Sequence, residues 1–309
     1  MPKALPKRFT DATAAREHLE ALLWPNGPAC PHCTSVNDAT KLKGKSTRPG
    51  VYWCNACQKP FSVTVGSVYE RSKVPLNTWL YATHLLCSSK KGISSQQLAR
   101  MLGVTVKTAW FMSHRIREAM GPVAGAGPLG GEGVIVEADD AEVGRSNKTR
   151  PRPRSKNLKF VSLIERGGRV RSRKLTGAKG QIGHEIRAAL YANVDRASTL
   201  HTDGGSPLKT AWPIVRHSSV DHNKKFVGVD ADANPVHTNS AEGFFSIFKR
   251  GLVGTYQHMS DQHLQRYLNE FDFRMSYRVK LGYSDDMRTD VALQGIVGKR
   301  LMYRRPDEA

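Results

Sequence analysis

No apolar run in this 309-residue sequence reaches the 18 residues of a membrane-spanning helix, so a membrane protein of that kind is excluded. Acidic residues are scarce: 27 Asp and Glu stand against 47 Lys and Arg, a formal charge of +20. That excess calls for a polyanionic partner, nucleic acid first. An anionic membrane would need a basic amphipathic helix set apart from the folded segments, and none is present. The basic first ten residues lead into polar sequence without the apolar segment of a secretory signal, so the expected location is the cytoplasm. Cysteine is also scarce. Five residues cannot carry a disulfide framework, and four of them fall in two close pairs while Cys87 lies in an apolar helical stretch. Internal repeats are absent, and 39% hydrophobic content suffices for several packed cores.

What is present divides the chain. Six glycines and two prolines between Met120 and Gly133 read as a linker over 121–133. Residues 1–70 then form a cysteine-rich unit, 71–120 a helical unit, 134–301 a strand-and-helix domain with a C-terminal helix, and 302–309 a polar tail.

Cys30, Cys33, Cys54 and Cys57 form the spacing C-x2-C-x20-C-x2-C. Two such knuckles can aim four thiolates at one tetrahedral zinc, with Val51–Trp53 and Phe61–Val65 as the framing hairpin. A redox role for either pair is the weaker reading, because ribbon spacing favours one structural Zn2+. Four cysteines leave no position for water, so any hydrolytic metal lies elsewhere.

In the helical unit, Ser94 precedes Gln97 in a capping-box pattern, Gly103 ends a short helix and Thr105 can cap the next. This predicts a helix-turn-helix, with the 76–88 helix completing a trihelical unit. The second helix, Val106 to Ala119, is expected to turn Lys107, Ser113, His114, Arg115 and Arg117 toward DNA. Plain helical packing gives the same pattern, so the charge and the neighbouring ribbon carry the DNA-binding expectation.

Beyond the linker, β-branched runs predict strands at 134–138, 158–164 and 169–175, with Gly167-Gly168 as a hairpin turn. A helix over 181–192, strands at 199–202 and 215–220, and a helix over 240–252 follow. The order is that of a ribonuclease H-like α/β domain. A last amphipathic helix would pack Leu264, Tyr267, Leu268, Phe271 and Met275 against the sheet.

Three carboxylates stand at suggestive places: Asp139 at the end of the first strand, Asp203 at the end of the fourth, and Glu242 on the helix after the fifth. On that helix Ala241, Phe244, Phe245, Phe248 and Leu252 make an apolar stripe, while Glu242, Ser246 and Lys249 line a second. Lys249 would meet a strand phosphate. Asn239 has two readings, a helix cap or an extra oxygen ligand. Converging carboxylates suit two Mg2+ or Mn2+ ions and hence phosphodiester chemistry. His201, His217, His222 and His237 cluster nearby, with His237 the best placed for a role at the site. The stretch 145–159 holds seven Lys or Arg and no acid; Arg145, Lys148, Arg150, Arg152 and Arg154 are expected to contact DNA, and Arg166, Arg169, Arg171, Arg173 and Lys174 to extend that surface.

These residues resemble bacterial insertion-sequence transposases of the zinc-ribbon DDE type, the group related to the Merlin transposases. The likeness runs through Cys57-Gln-Lys-Pro-Phe-Ser-Val-Thr-Val-Gly-Ser, Val134-Ile-Val-Glu-Ala-Asp-Asp, Thr202-Asp203, Val220-Asp-His-Asn, and the long match from His237-Thr-Asn to Tyr256. The resemblance implies that Asp139, Asp203 and Glu242 are the catalytic acids, with Lys249 contacting base or phosphate. It implies an enzyme that cleaves transposon ends and joins the 3′-hydroxyl to target DNA, acting as a homo-oligomer on DNA. The family usually reads Val-Asp-Glu-Thr where this chain has Ala138-Asp139-Asp140-Ala141, which leaves Asp140 as a competing ligand. The alternative function is a catalytically silent, transposase-derived DNA-binding regulator.

Overall fold

The computed structural model describes residues 5–122, 125–144, 157–176, 178, 180–204, 216–221 and 227–302. The chain divides into two compact units, Met1–Gly121 with Ser284–Ala309, and Pro122–Tyr283.

In the first unit, helices α1 (Lys7–Thr10) and α2 (Ala12–Leu23) precede an antiparallel sheet of β1 (Ala39–Lys41), β2 (Tyr52–Cys54) and β3 (Pro60–Phe61) in that order. The expected framing hairpin is therefore present but shorter, since the chain turns after Phe61, with Val65 N–H bonded to Ser62 O. Helices α3 (Leu76–Ser88), α4 (Ser95–Leu102) and α5 (Val106–Ala119) follow. Ser94 caps α4 by accepting from Gln97 N–H at 3.2 Å, and Thr105 caps α5 by accepting from Thr108 N–H at 3.2 Å. Gly103 joins them at φ 66°, the left-handed conformation that glycine adopts at low cost.

The last helix of the chain, Asp285–Gln294, belongs to this unit, whereas the sequence reading ran the second domain on to 301. Long-range bonds account for the difference: Arg288 donates to Cys87 O at 2.6 Å, and Val68 N–H donates to Ile296 O at 3.1 Å.

The second unit is a five-stranded mixed sheet between helices. Its strands are β4 (Ile135–Val143), β5 (Leu158–Glu165), β6 (Val170–Leu175), β7 (Thr199–Asp203) and β8 (Arg216–Val220), in the order β6-β5-β4-β7-β8. The first three strands pair antiparallel, and β7 and β8 run parallel to β4. Strand β4 is longer than expected, because Asp139–Val143 pairs with Leu158–Ser162. The linker reading also ends early: Leu129 is buried and exchanges bonds of 2.7 Å with Asn193 O and Asp195 N–H. Gly130 follows at φ 90°, where a Cβ would lie 1.9 Å from Ser198 Oγ.

Alternation along the strands sorts the two faces. Val136, Ala138, Val161, Leu163 and Leu200 pack with Ile186 and Leu190 of α6 (Ile182–Asn193). Ala141, Phe160 and Ile164 pack on the other face with α7 (Asn239–Gly251) and α8 (Leu264–Ser276). Phe248 lies at the centre of that second core, its ring 5.0 Å from those of both Phe160 and Phe271. Phe248→Ala is expected to lower stability by about 3–5 kcal/mol, through lost burial and a residual cavity, as read by equilibrium denaturation of the full chain.

Candidate active site and zinc centre

The four ribbon thiols converge: one sulfur from each of Cys30, Cys33, Cys54 and Cys57 lies within 4.8 Å of the others. Cys30 and Cys57 are 3.7 Å apart and Cys33 and Cys54 3.5 Å, close to the ~3.8 Å edge of a tetrahedron with Zn–S bonds of about 2.3 Å. Both knuckles turn alike. Thr34 and Gln58, each just past the second cysteine, take positive φ (63° and 54°), and their N–H groups return to Cys30 O and Cys54 O. The Ser35 hydroxyl contacts Cys33 and Cys54 at 3.3 and 3.4 Å and pulls the Cys54 thiol down to about 6, toward the thiolate that binds metal. The donor set thus fits zinc.

The acidic site assembles from three elements of the second unit. Strand pairing places Ala138 opposite Thr202, so Asp139 and Asp203 are the next residues along the adjacent parallel strands β4 and β7. Alternation puts Asp139 on the face covered by α7, where Glu242 lies in the first turn. Asp139 is thus not at the end of its strand; it sits where the parallel pairing with β7 stops while the antiparallel pairing with β5 continues. Burial pushes the Asp139 carboxyl up to about 7, and the charges of Asp203, Asp140 and Glu242 add to that shift, against one hydrogen bond from Asp140 N–H at 2.8 Å. Among the described residues neither Asp139 nor Glu242 makes an ion pair. Asp140 is raised too, by burial and Asp203, with Lys159 opposing.

A second buried acid shows the contrast. Asp272 on α8 is also pushed by burial to about 7, but it accepts from Ser172 N–H and Oγ, both at 2.6 Å, and ties α8 to β6. Asp139 has no such structural occupation. Glu242, Ser246 and Lys249 are exposed on α7 while Ala241, Phe244, Phe245 and Phe248 are buried, as the two stripes predicted. Asn239 is the exposed first residue of α7 and not its cap; that position belongs to Thr238, which makes no side-chain capping bond.

Several basic and histidine residues stand elsewhere than expected. Arg115 and Arg117 are buried: Arg115 donates to Glu70 O at 2.7 Å and stacks over Trp79, and Arg117 donates to Ser113 Oγ at 2.9 Å. Ser113 and His114 are buried with them, so the face of α5 read as DNA-facing is interior. Lys107, near the start of α5, is exposed. Arg145, Lys148, Arg150, Arg152 and Arg154 lie outside the described residues, as does His222. Arg166, Arg169 and Lys174 pair with Glu137, Glu165 and Asp261 and do not form a free basic surface. His201 contacts Arg166 and Asp230, His217 contacts the Thr202 hydroxyl at 2.9 Å, and His237 stands 3.4 Å from Glu137.

Sequence reasoning passed over Glu137, although the signal was there. It shares a strand face with Asp139, two residues on, and that face had to be covered by a helix.

The second unit thus carries acids on one face of a mixed sheet, and the first carries a four-cysteine cluster. Residues 10–60 match the transposase zinc-ribbon domain, and residues 128–276 match the ISXO2-like transposase domain. An uncharacterized protein in transposable element ISH50 of Halobacterium salinarum is 26% identical over 282 residues, covering 87% of this chain and 92% of that protein. A chain in the crystal structure of a pre-cleavage Mos1 transpososome aligns over 94% of both chains at 12% identity, with a TM-score of 0.24. The chain belongs to the insertion-sequence transposases of the DDE type that carry an N-terminal zinc ribbon.

Proposed function

We propose that this transposase cuts the ends of its element and joins the freed 3′-hydroxyl to target DNA, with Asp139, Asp203 and Glu242 as the acids that hold two divalent ions, Mg2+ or Mn2+. The observation that carries this reading is the approach of three carboxylates from β4, β7 and α7: burial raises Asp139 to about 7, and the charges of Asp203 and Glu242 add to that rise. Acids so placed, with no cation paired to Asp139 or Glu242 among the described residues, suit a divalent cation. Ions bound there would activate the attacking oxygen and offset charge on the leaving one. The sheet order, three antiparallel strands continued by two parallel ones, supports a ribonuclease H-like domain. Lys249, on the Glu242 face of α7, would contact a strand phosphate, and Asn239, free of a capping role, is an additional oxygen donor beside the site.

The ribbon, holding one Zn2+, and the α4–α5 helix-turn-helix would bind the element ends, with Lys107 among the contacts and the protein acting as a homo-oligomer on DNA. The +20 charge supports a polyanionic ligand. With six to ten phosphate contacts, affinity of the full chain for end DNA is expected to fall about 10^3- to 10^5-fold between 50 and 200 mM salt. Fluorescence anisotropy on the Asp139→Ala protein checks this without cleavage, and flat salt dependence or equal binding to random DNA removes the end-recognition claim. The chemistry itself is tested with a pre-cut end bearing a free 3′-hydroxyl, incubated with a target plasmid and Mg2+ or Mn2+. Covalently joined product is expected; its absence under all metal conditions counts against a strand-transfer enzyme.

A further inference from the structure

Glu137 is completely buried, yet it is bonded on every side. Its carboxylate accepts from Ser240 N–H at 2.8 Å, Ala241 N–H at 3.3 Å and Ser240 Oγ at 3.1 Å, all in the first turn of α7. Thr238, at the cap position of α7, makes no side-chain capping bond, and the Asn239 N–H donates to His237 Nδ1 at 3.4 Å; the next two N–H groups, of Ser240 and Ala241, are satisfied by an acid on β4, about 100 positions earlier in the chain. Arg166, at the turn after β5, donates to Glu137 at 2.9 Å. The same guanidinium reaches Pro235 O at 3.1 Å and His237 O at 3.3 Å, fastening the segment that leads into α7.

The position of this knot matters more than its strength. Along β4, Glu137 is two residues before Asp139 and on the same face. Along α7, Ser240 is two residues before Glu242. The carboxylate of Glu137 is thus a short, direct link between the backbone that carries Asp139 and the backbone that carries Glu242. Those two acids come from elements roughly a hundred residues apart in sequence, so their spacing depends on such a link.

We propose that Glu137, held by Arg166, is a positioning residue that sets the separation of Asp139 and Glu242 and thereby the affinity of the acidic site for its divalent ions. It touches neither DNA nor metal in this role. The proposal rests on the assignment of Asp139, Asp203 and Glu242 as the metal-holding acids. Glu137→Gln keeps the volume but replaces one acceptor oxygen with an NH2 donor, which must face either the helix N–H groups or the guanidinium. The sheet and both cores remain, and the first turn of α7 is expected to shift.

The test is a Mn2+ titration of the full-length protein, read both as calorimetric binding without DNA and as end cleavage. For Glu137→Gln the half-saturating Mn2+ concentration is expected to rise about 10- to 100-fold, as for other losses of support around a metal site, with activity recovering toward wild type at high Mn2+. A merely structural role would lower the active fraction and leave the half-saturating concentration where it was, and that result overturns the proposal. Wild-type activity at the wild-type concentration overturns it equally. If Glu137→Gln does not fold, as judged by zinc content and thermal unfolding, Arg166→Met carries the same test, with a rise in half-saturating Mn2+ expected and an unchanged value contradicting. Failure of the underlying assignment looks different: cleavage by the wild type would then be independent of divalent metal, or Asp139→Ala would retain it.

Discussion

Alanine at Asp139, Asp203 or Glu242 is expected to reduce end cleavage by at least about 10^3-fold, the loss of several kcal/mol of charge stabilisation, while binding to end DNA stays within a few-fold of wild type. The asymmetry follows from where the residues sit. The three acids lie in the second unit, and the ribbon and the α4–α5 helix pair proposed to bind DNA lie in the first. Ligands of one site act as a unit, so a double substitution should cost little more than either single one. Removing Asp139 also removes a carboxyl that burial and like charge hold at about 7, so the variant should fold at least as well as the wild type at neutral pH. The sign is plain: a carboxyl whose pKa is raised by folding destabilises the native state as pH climbs past its unfolded value near 3.8. Gel assays of labelled end DNA decide the matter, and near-normal cleavage by Asp203→Ala or Glu242→Ala would mean that the site is assigned wrongly.

The second large effect is expected at the ribbon. Cys54→Ser should release zinc and unfold residues around the two knuckles, since structural zinc contributes on the order of 10–16 kcal/mol in isolated fingers. Little else holds this region. Its apolar cluster consists of Tyr52, Phe61 and buried cysteines, with Trp24 and Val65 packed at its margin, and its strands are two or three residues long. Loss of the metal should therefore abolish amide protection between β1 and β3 and weaken end binding, while the second unit keeps its own sheet and cores. Metal analysis and hydrogen exchange read this directly; full zinc content and unchanged protection in Cys54→Ser would contradict it.

The residues that proved legible in the sequence are those whose chemistry is local. Cysteine spacing is dictated by the bite of a single ion, so the ribbon could be read from four positions. The α4–α5 turn was legible for the same reason, because Ser94, Gly103 and Thr105 act within one turn of their own helices. The placing of Asp139 and Asp203 on neighbouring strands, and of Glu242 on the exposed stripe of α7, could be anticipated because strand order and helical period determine them.

What escaped depends on distant parts of the chain. Arg115 and Arg117 look solvent-facing on an isolated helical wheel, but α5 is enclosed along its C-terminal half, and a charged side chain there is satisfied by partners such as Glu70 O and Ser113 Oγ. No periodicity announces that the segment from Ser284 will return to the first unit. Glu137 escaped because a lone acid in an apolar strand reads as an irregularity until its partners, Arg166 and Ser240, are brought to it by the fold.

Calorimetric titration of Mn2+ into the zinc-loaded full-length protein, beside the same titration of Asp139→Ala, tests most directly whether the acids form a divalent-cation site. Saturable binding by the wild type that disappears in the variant is the predicted result; equal uptake by the two proteins, or none by the wild type with end DNA present, would contradict it.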